Sequence, residues 1–466
     1  MNNPLLRILT FAFVLRLGLP ILAWILHPQS LEIFYAADSD SYIKPALELA
    51  ATGKFNNYYD KLPELFRTPG YPLFLVPGVW LGKVEAVAIF LQVLLSCLTA
   101  YYIYQTALLL FKRERIALLC AGIYTIEPLS VLFTSKILTE TLFSAVFTIF
   151  LYYFLRYVES KKFLDLAIAA LLLVLSAYIR PISYYLPVLI FLGMIVWVVW
   201  QEPNKKRLLL HSVGFLLISV SLLGIWHGRN LLVANYPGFS SVNGVNLYYW
   251  TGPAIEANKT GEKFDQIQKA MDVSDPKVIC FNQSLHGVAT VDKKLSCDKT
   301  QVFKSMEKEG SQIIKDNLPR YSLMHLDGVI RTLLGPAVSD YHILFGNPID
   351  FPARTGTTFQ DGIFLNLKNM IVKAPDLLGM YLILGVLSWS FIFLTVVGFW
   401  GKLPINGLQL FTILSVGAYF IIVGGGTVGQ GRYRHSLMPI VCLVAGYGLS
   451  LIIDKFQQQR SLKLDQ

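Results

Sequence analysis

Ten apolar stretches constrain the fold of this chain more than any other feature: residues 5–26, 84–111, 116–134, 141–157, 163–179, 182–200, 208–226, 376–399, 406–424 and 436–453. Each is long enough to cross, or nearly cross, about 30 Å of hydrocarbon. A backbone in hydrocarbon must satisfy its own hydrogen bonds, which a helix does. Charge points the same way, since only 15% of the 466 residues are charged against roughly 25% in soluble proteins. The expectation is an all-α polytopic membrane protein with about ten to twelve spans. The first run is too long for a signal-peptide core and lacks a clear small-residue cleavage site, so it reads as a span. Residues 69–82, PGYPLFLVPGVWLG, are apolar but short and interrupted by Pro69, Pro72 and Pro77. That suits a re-entrant or half-span piece covered by protein.

Counting the spans in order places Lys112-Arg113-Glu114-Arg115, Lys161-Lys162, Lys205-Lys206-Arg207, Lys402 and the tail lysines and arginine on one side. Basic loops stay cytoplasmic. The net charge of +10 is therefore read as topology, with membrane lipids and no nucleic acid as partners. Both termini lie inside, and the protein is expected to be multi-pass in the plasma (inner) membrane. The chain divides into an N-terminal membrane module (1–226, with an external loop 27–83 holding interfacial helices), a long mixed external region (227–375) and C-terminal helices (376–466). Cys280 and Cys297 share that polar region and are candidates for a disulfide. No repeat or matched pair of broken helices is visible, which argues against a secondary transporter.

Polar clusters gather on the other side. The stretch AADSDSY holds Asp38, Asp40 and Tyr42 just past the first span. The run from Tyr42 to Thr52 has the spacing of a short amphipathic helix, with Gly53 as its stop. In an extended segment Asp38 and Asp40 point the same way. They serve either as ligands of a divalent metal (Mg or Mn) or, singly, as a general base or a solvated acid. Arg67 opens RTPGYP, where two prolines and a glycine fix the backbone around a guanidinium suited to phosphate. Glu127, Lys136 and Glu140, Arg180-Pro181, His227-Gly228-Arg229-Asn230 and GQGRYRH (429–435) lie in the same leaflet. Four connections bringing cations to the side that usually lacks them suit an anionic, phosphate-bearing head group. The glycine run 424–429 lacks the strand and the Lys-Ser/Thr of a P-loop, and no nucleotide fingerprint occurs. A sugar-transferring enzyme without a nucleotide site, facing outside where nucleotides are scarce, would need a lipid-carried donor.

The order of these elements, with RTPGYP and GRYRH the more specific pair, resembles the GT-C class of polytopic glycosyltransferases. The likeness is to bacterial members similar to protein O-mannosyltransferases and to the aminoarabinose transferase of lipid A. The resemblance implies the GT-C fold and inverting transfer of a sugar from a polyprenyl-phosphate donor to a lipid, glycan or protein acceptor, with the site facing the periplasm or outside. It places an essential acid in the first external loop, where Asp-x-x-x-Tyr matches Asp38 and Tyr42. Asp40 is a second candidate, and Ser39 stands where many relatives have Glu. Asp38, with Asp40 as substitute, is then expected to take the acceptor proton. Arg67, Arg180, Arg432 and Arg434 would bind the lipid phosphate. Tyr42, Tyr71, Glu140, Arg229, Tyr433 and His435 would shape the cavity. Metal use stays open. The alternative is a transporter or flippase of lipid-linked sugars.

Overall fold

The computed structural model describes residues 3–28, 30–201, 205–287, 297–345, 363–373 and 375–464. Among them there is no strand, only an isolated antiparallel bridge between Asn56 and Pro63. Helix α1 (Pro4–Leu26) starts at Asn3, whose side chain accepts from the amides of Leu5 and Leu6. A 3₁₀ turn (Leu31–Phe34) leads to α2 (Ser39–Thr52), which stops at Gly53 because that residue takes the left-handed φ of 71°. The proline-broken stretch forms a short helix, α3 (Gly70–Trp80). Then follow α4 (Val84–Phe111), α5 (Glu114–Ile126), α6 (Pro128–Leu132), α7 (Glu140–Ser160), α8 (Phe163–Ile179), α9 (Leu186–Gln201) and α10 (Lys205–Ala234).

Eight helices of the described residues are long and apolar enough to cross a membrane. A further crossing is built from α5 and the segment Pro128–Ser135, bent by 59°, and α8 is a shorter apolar helix. The ten apolar stretches thus each fall on a helix or on this bent pair. The bend has charged caps on both sides. Arg16, fully buried in α1, donates through Nη2 and Nη1 to the carbonyls of Tyr124 and Thr125 at 2.8 Å each, in the last turn of α5. Glu127 accepts the amides of Leu129 and Ser130, the first turn of α6. A broken helix in an apolar medium leaves carbonyls on one side and amides on the other. One cation and one anion satisfy part of each.

Between the two membrane modules lie α11 (Val242–Val245), α12 (Gly252–Thr260), α13 (Phe264–Ser274), α14 (Pro276–His286), α15 (Lys299–Asp316), α16 (Leu318–Leu334) and α17 (Val338–Leu344). The seventh apolar stretch continues as helix past residue 226 to Ala234. Cys280 and Cys297 are disulfide-bonded, with Cα atoms 5.8 Å apart. The chain closes with α18 (Ile363–Lys373), α19 (Pro375–Trp400), α20 (Gly407–Gly425) and α21 (Met438–Leu464). The main core lies between α4, α5, α7, α8, α9, α20 and α21, with a run of phenylalanines (Phe143, Phe147, Phe150, Phe154) along one face of α7.

Candidate active site

Asp38 immediately precedes α2, yet its carboxylate does not cap that helix. Its Oδ1 accepts Arg67 Nη2 at 2.8 Å and its Oδ2 pairs with Arg432 Nη2 at 2.9 Å. Arg67 also donates through Nε to Ser41 Oγ at 2.8 Å and through Nη1 to Tyr42 OH at 3.1 Å. Its guanidinium lies 4.4 Å from the ring centroids of both Tyr42 and Phe66. Glu140, fully buried in the first turn of α7, accepts Arg432 Nε at 2.5 Å and forms an ion pair with Arg180 Nη1 at 3.2 Å. Arg180 Nη1 is buried and makes no hydrogen bond, and its guanidinium faces the Tyr433 ring at 5.8 Å. Tyr71 meets Tyr42 edge-on at 5.3 Å. The result is one chain of charges, Arg67–Asp38–Arg432–Glu140–Arg180, drawn from segments more than 360 residues apart in sequence. Three guanidiniums against two carboxylates leave one positive charge in excess.

Two close backbone approaches bring these segments together. Gly70 packs on the C-terminus of α8: a Cβ there would lie 2.7 Å from Tyr178 O and 2.8 Å from Ile179 N. Only a residue without a side chain lets RTPGYP sit beside Arg180. The glycine run before Arg432 does the same against α16, where Gly429 abuts the carbonyl of Gly328 and Gly431 that of Gly335. The run read as no P-loop is a packing seam, and the 3₁₀ turn Gly431–Leu437 emerges from it. That turn separates its two arginines. Arg432 reaches Asp38 and Glu140, whereas Arg434 donates to Leu333 O and lies within range of the Glu127 charge.

Burial works to raise the Asp38 carboxyl, but the charges of Arg67 and Arg432 outweigh it and hold the group well below the usual carboxylate range. Asp40, in the first turn of α2, is exposed and forms no ion pair among the described residues. The two acids are therefore not aimed alike, because the segment is the start of a helix and not extended chain. The described residues do not fit a divalent ion here: guanidiniums occupy both oxygens of Asp38, and no group of three or more His, Cys, Asp or Glu gathers.

The other expected residues lie apart from this chain. Arg229 donates to the carbonyls of Phe55 and Glu64 and packs 4.9 Å from the Trp226 ring, tying the first loop to α10. His435 is buried beside Ser144 Oγ at 3.2 Å, with Nε2 lacking a hydrogen-bond partner. Lys136, fully buried, donates to Ile33 O at 2.7 Å, and burial lowers its ammonium to about 8 against the pull of Asp340. Arg16 and Asp340 carried no weight in the sequence reading. A lone arginine inside a span was the available signal for Arg16. Asp340 has none, since it stands in a polar region where acids are common.

With this geometry in hand, comparison with known proteins places the fold. The family model for dolichyl-phosphate-mannose-protein mannosyltransferase matches residues 67–226. No curated protein matches the chain. Among solved structures it is similar to the oligosaccharyltransferase AglB of Archaeoglobus fulgidus in complex with an inhibitory peptide and a dolichol-phosphate. The TM-score is 0.55 at 16% identity, covering 99% of this chain and 52% of that one. The same enzyme tethered to an acceptor peptide containing the NVT sequon gives 0.54 at 16% identity, covering 98% and 50%. ArnT from Cupriavidus metallidurans bound to undecaprenyl phosphate covers 94% and 77% at 14% identity, with a TM-score of 0.37 that carries no argument. The chain spans about half the length of the archaeal chains it matches. It is a multi-pass membrane protein with the GT-C glycosyltransferase fold.

Proposed function

We propose that the chain is an inverting glycosyltransferase that moves a sugar from a polyprenyl-phosphate donor to a lipid, glycan or protein acceptor. The observation that most supports this reading is the Arg67–Asp38–Arg432–Glu140–Arg180 chain at the ends of membrane helices, with its surplus positive charge. Guanidiniums fixed by carboxylates present N–H donors to a phosphate without reorganisation. In glycosyl transfer from a lipid phosphate, charge develops on the departing phosphate oxygen, and Arg67, Arg180 and Arg432 stabilise it there. An apolar groove is lined by Phe74, Leu91, Leu94, Leu95, Leu98 and Leu142. Phe74 stacks on Tyr71 at 5.6 Å, and Leu142 is two residues from Glu140. The groove accommodates an isoprenoid tail whose phosphate reaches the arginines. The basic connections on the opposite side support placing this site on the outer face of the membrane.

The test uses the purified full chain with undecaprenyl-phosphate-linked sugars. Release of undecaprenyl phosphate by the wild type, abolished in Asp38→Asn, is the expected result. Movement of intact lipid-linked sugar between leaflets of a proteoliposome, without cleavage of any donor, overturns the reading in favour of a flippase.

A further inference from the structure

We infer that α16 lies in the plane of the membrane, its apolar stripe seated in the acyl chains of the leaflet on the side of the arginine chain. This goes beyond the glycosyltransferase reading and does not depend on it. The starting point is a contrast within the region between the membrane modules. Among its described residues from Asn235 to Leu344, the exposed large apolar side chains are Val273, Leu318, Leu323, Leu326 and Ile330. All but Val273 belong to α16. The preceding helix, α15, instead exposes Glu307, Lys308, Gln312, Lys315 and Asp316. The change of character falls at Asn317, where one helix ends and the next begins. Leu323, Leu326 and Ile330 recur at intervals of three and four residues, so they share one face. Contiguous exposed apolar surface marks a contact with a partner or a membrane, and a helix with one such face is the form that lies in a bilayer interface.

Contacts on the opposite face fix where the stripe lies. Met324 packs with Trp250 and Phe264 of the region between the modules. His325 Nε2 donates to the carbonyl of Ile422 at 2.8 Å, and its Nδ1 meets Tyr321 OH at 3.1 Å. Thr332 Oγ1 donates to Gly424 O at 3.3 Å and Arg331 Nη2 to Thr427 O at 2.8 Å. Ile422 and Gly424 lie in the last turn of α20, whose carbonyls have no partners within the helix. Protein side chains take them, as a helix end at membrane depth requires. Helix α20 is one of those long and apolar enough to cross.

His325 and Thr332 are about two turns apart on α16, yet Ile422 and Gly424 share one turn of α20. The two helices therefore cross and do not run side by side. A helix that crosses the end of a span lies close to the membrane plane. Ile422 and Val423 are themselves exposed, so the lipid-facing surface of the span reaches the level of α16. That continuity assigns the stripe to lipid. Gly328 and Gly335, at the inner face and end of α16, form the seam with Gly429 and Gly431. A helix seated in lipid thus supports the turn that carries Arg432.

The test is nitroxide accessibility in the full chain, reconstituted in phosphatidylcholine liposomes with Cys97→Ser as the background. Leu323→Cys, Leu326→Cys and Ile330→Cys carry the label on the stripe, and Lys308→Cys and Lys315→Cys carry it on α15. Stripe labels are expected to collide with oxygen, which dissolves among acyl chains, and to lose collision with a nickel chelate confined to water. The α15 labels should show the reverse. Should a stripe variant not fold, Ser322→Cys, exposed at the edge of the same face, is read in its place. Nickel collision on the stripe equal to that on α15 overturns the proposal, because the face is then wet. Dipolar broadening between labels at position 326, lost on dilution with unlabelled chain, overturns it in favour of a second copy. Oxygen collision that falls when undecaprenyl phosphate is added overturns it in favour of an isoprenoid tail.

Discussion

At one end of the helical bundle Lys112 meets Glu159 at 2.8 Å and Arg115 meets Asp454 at 2.8 Å, each pair on the surface. At the other end Arg67, Arg432 and Arg180 share Asp38 and Glu140 in a continuous chain, with Glu140 wholly removed from solvent. The residue types are the same, but the surroundings are not. Exposed pairs are screened by water and contribute about 0–1 kcal/mol. The chain gains little from its own pairing once desolvation is counted, and breaking it strands Glu140, whose charge water cannot reach. Pairs spread over a surface fit a topological role. A chain that concentrates desolvated cations in one place fits binding.

The widest separation between the two ends should come from Arg432→Met. It leaves Glu140 with Arg180 alone and frees one oxygen of Asp38, so about 3–5 kcal/mol of stability is expected to go, together with undecaprenyl phosphate binding. Thermal unfolding in detergent and a lipid-binding titration check both, and a variant as stable as wild type would break the contrast. Next is Gly70→Ala, whose new Cβ meets the backbone of Tyr178 and Ile179. A loss of about 1–3 kcal/mol is expected, with transfer falling further than stability because Arg67 moves away from Arg180. An equal fall in both would show that the close approach serves packing only.

Acid gives a gentler probe. The folded value of Asp38 is depressed, so its contribution is fully present above the unfolded value of about 4 and is lost as pH falls below it toward the folded value. Asp38→Asn should flatten that part of the stability profile, measured by thermal unfolding from pH 6 downward. A profile unchanged by the substitution counts against the pairing. The smallest effect belongs to the other end, where Lys112→Met should change stability by less than about 0.5 kcal/mol. A change as large as that of Arg432→Met would erase the distinction.

How much of this was legible varies with the physics that decides each feature. Apolar length alone decides whether a segment crosses, so the ten stretches fall on helices or on the bent pair. Arg67, Arg180 and Arg432 stood out because cations on the wrong side of a membrane protein are conspicuous. Asp38 and Asp40, like Arg432 and Arg434, are pairs two residues apart, and only the local turn decides which member faces the site. Spacing could not tell the start of a helix from extended chain, nor foresee a 3₁₀ turn issuing from a glycine seam.

The capped bend between α5 and α6 also bears on how the chain is made. Arg16 is emerging from the ribosome long before Thr125, whose carbonyl lies 109 positions later. At roughly 5–20 residues per second, that is on the order of 5–20 seconds. During that interval the first span must hold a guanidinium in or near the bilayer with no protein carbonyl to receive it, at a cost of roughly 2.5–3.5 kcal/mol on insertion scales. The otherwise apolar length of α1 is what keeps the span inserted over that wait. The arginine is then settled by a helix that arrives two spans later.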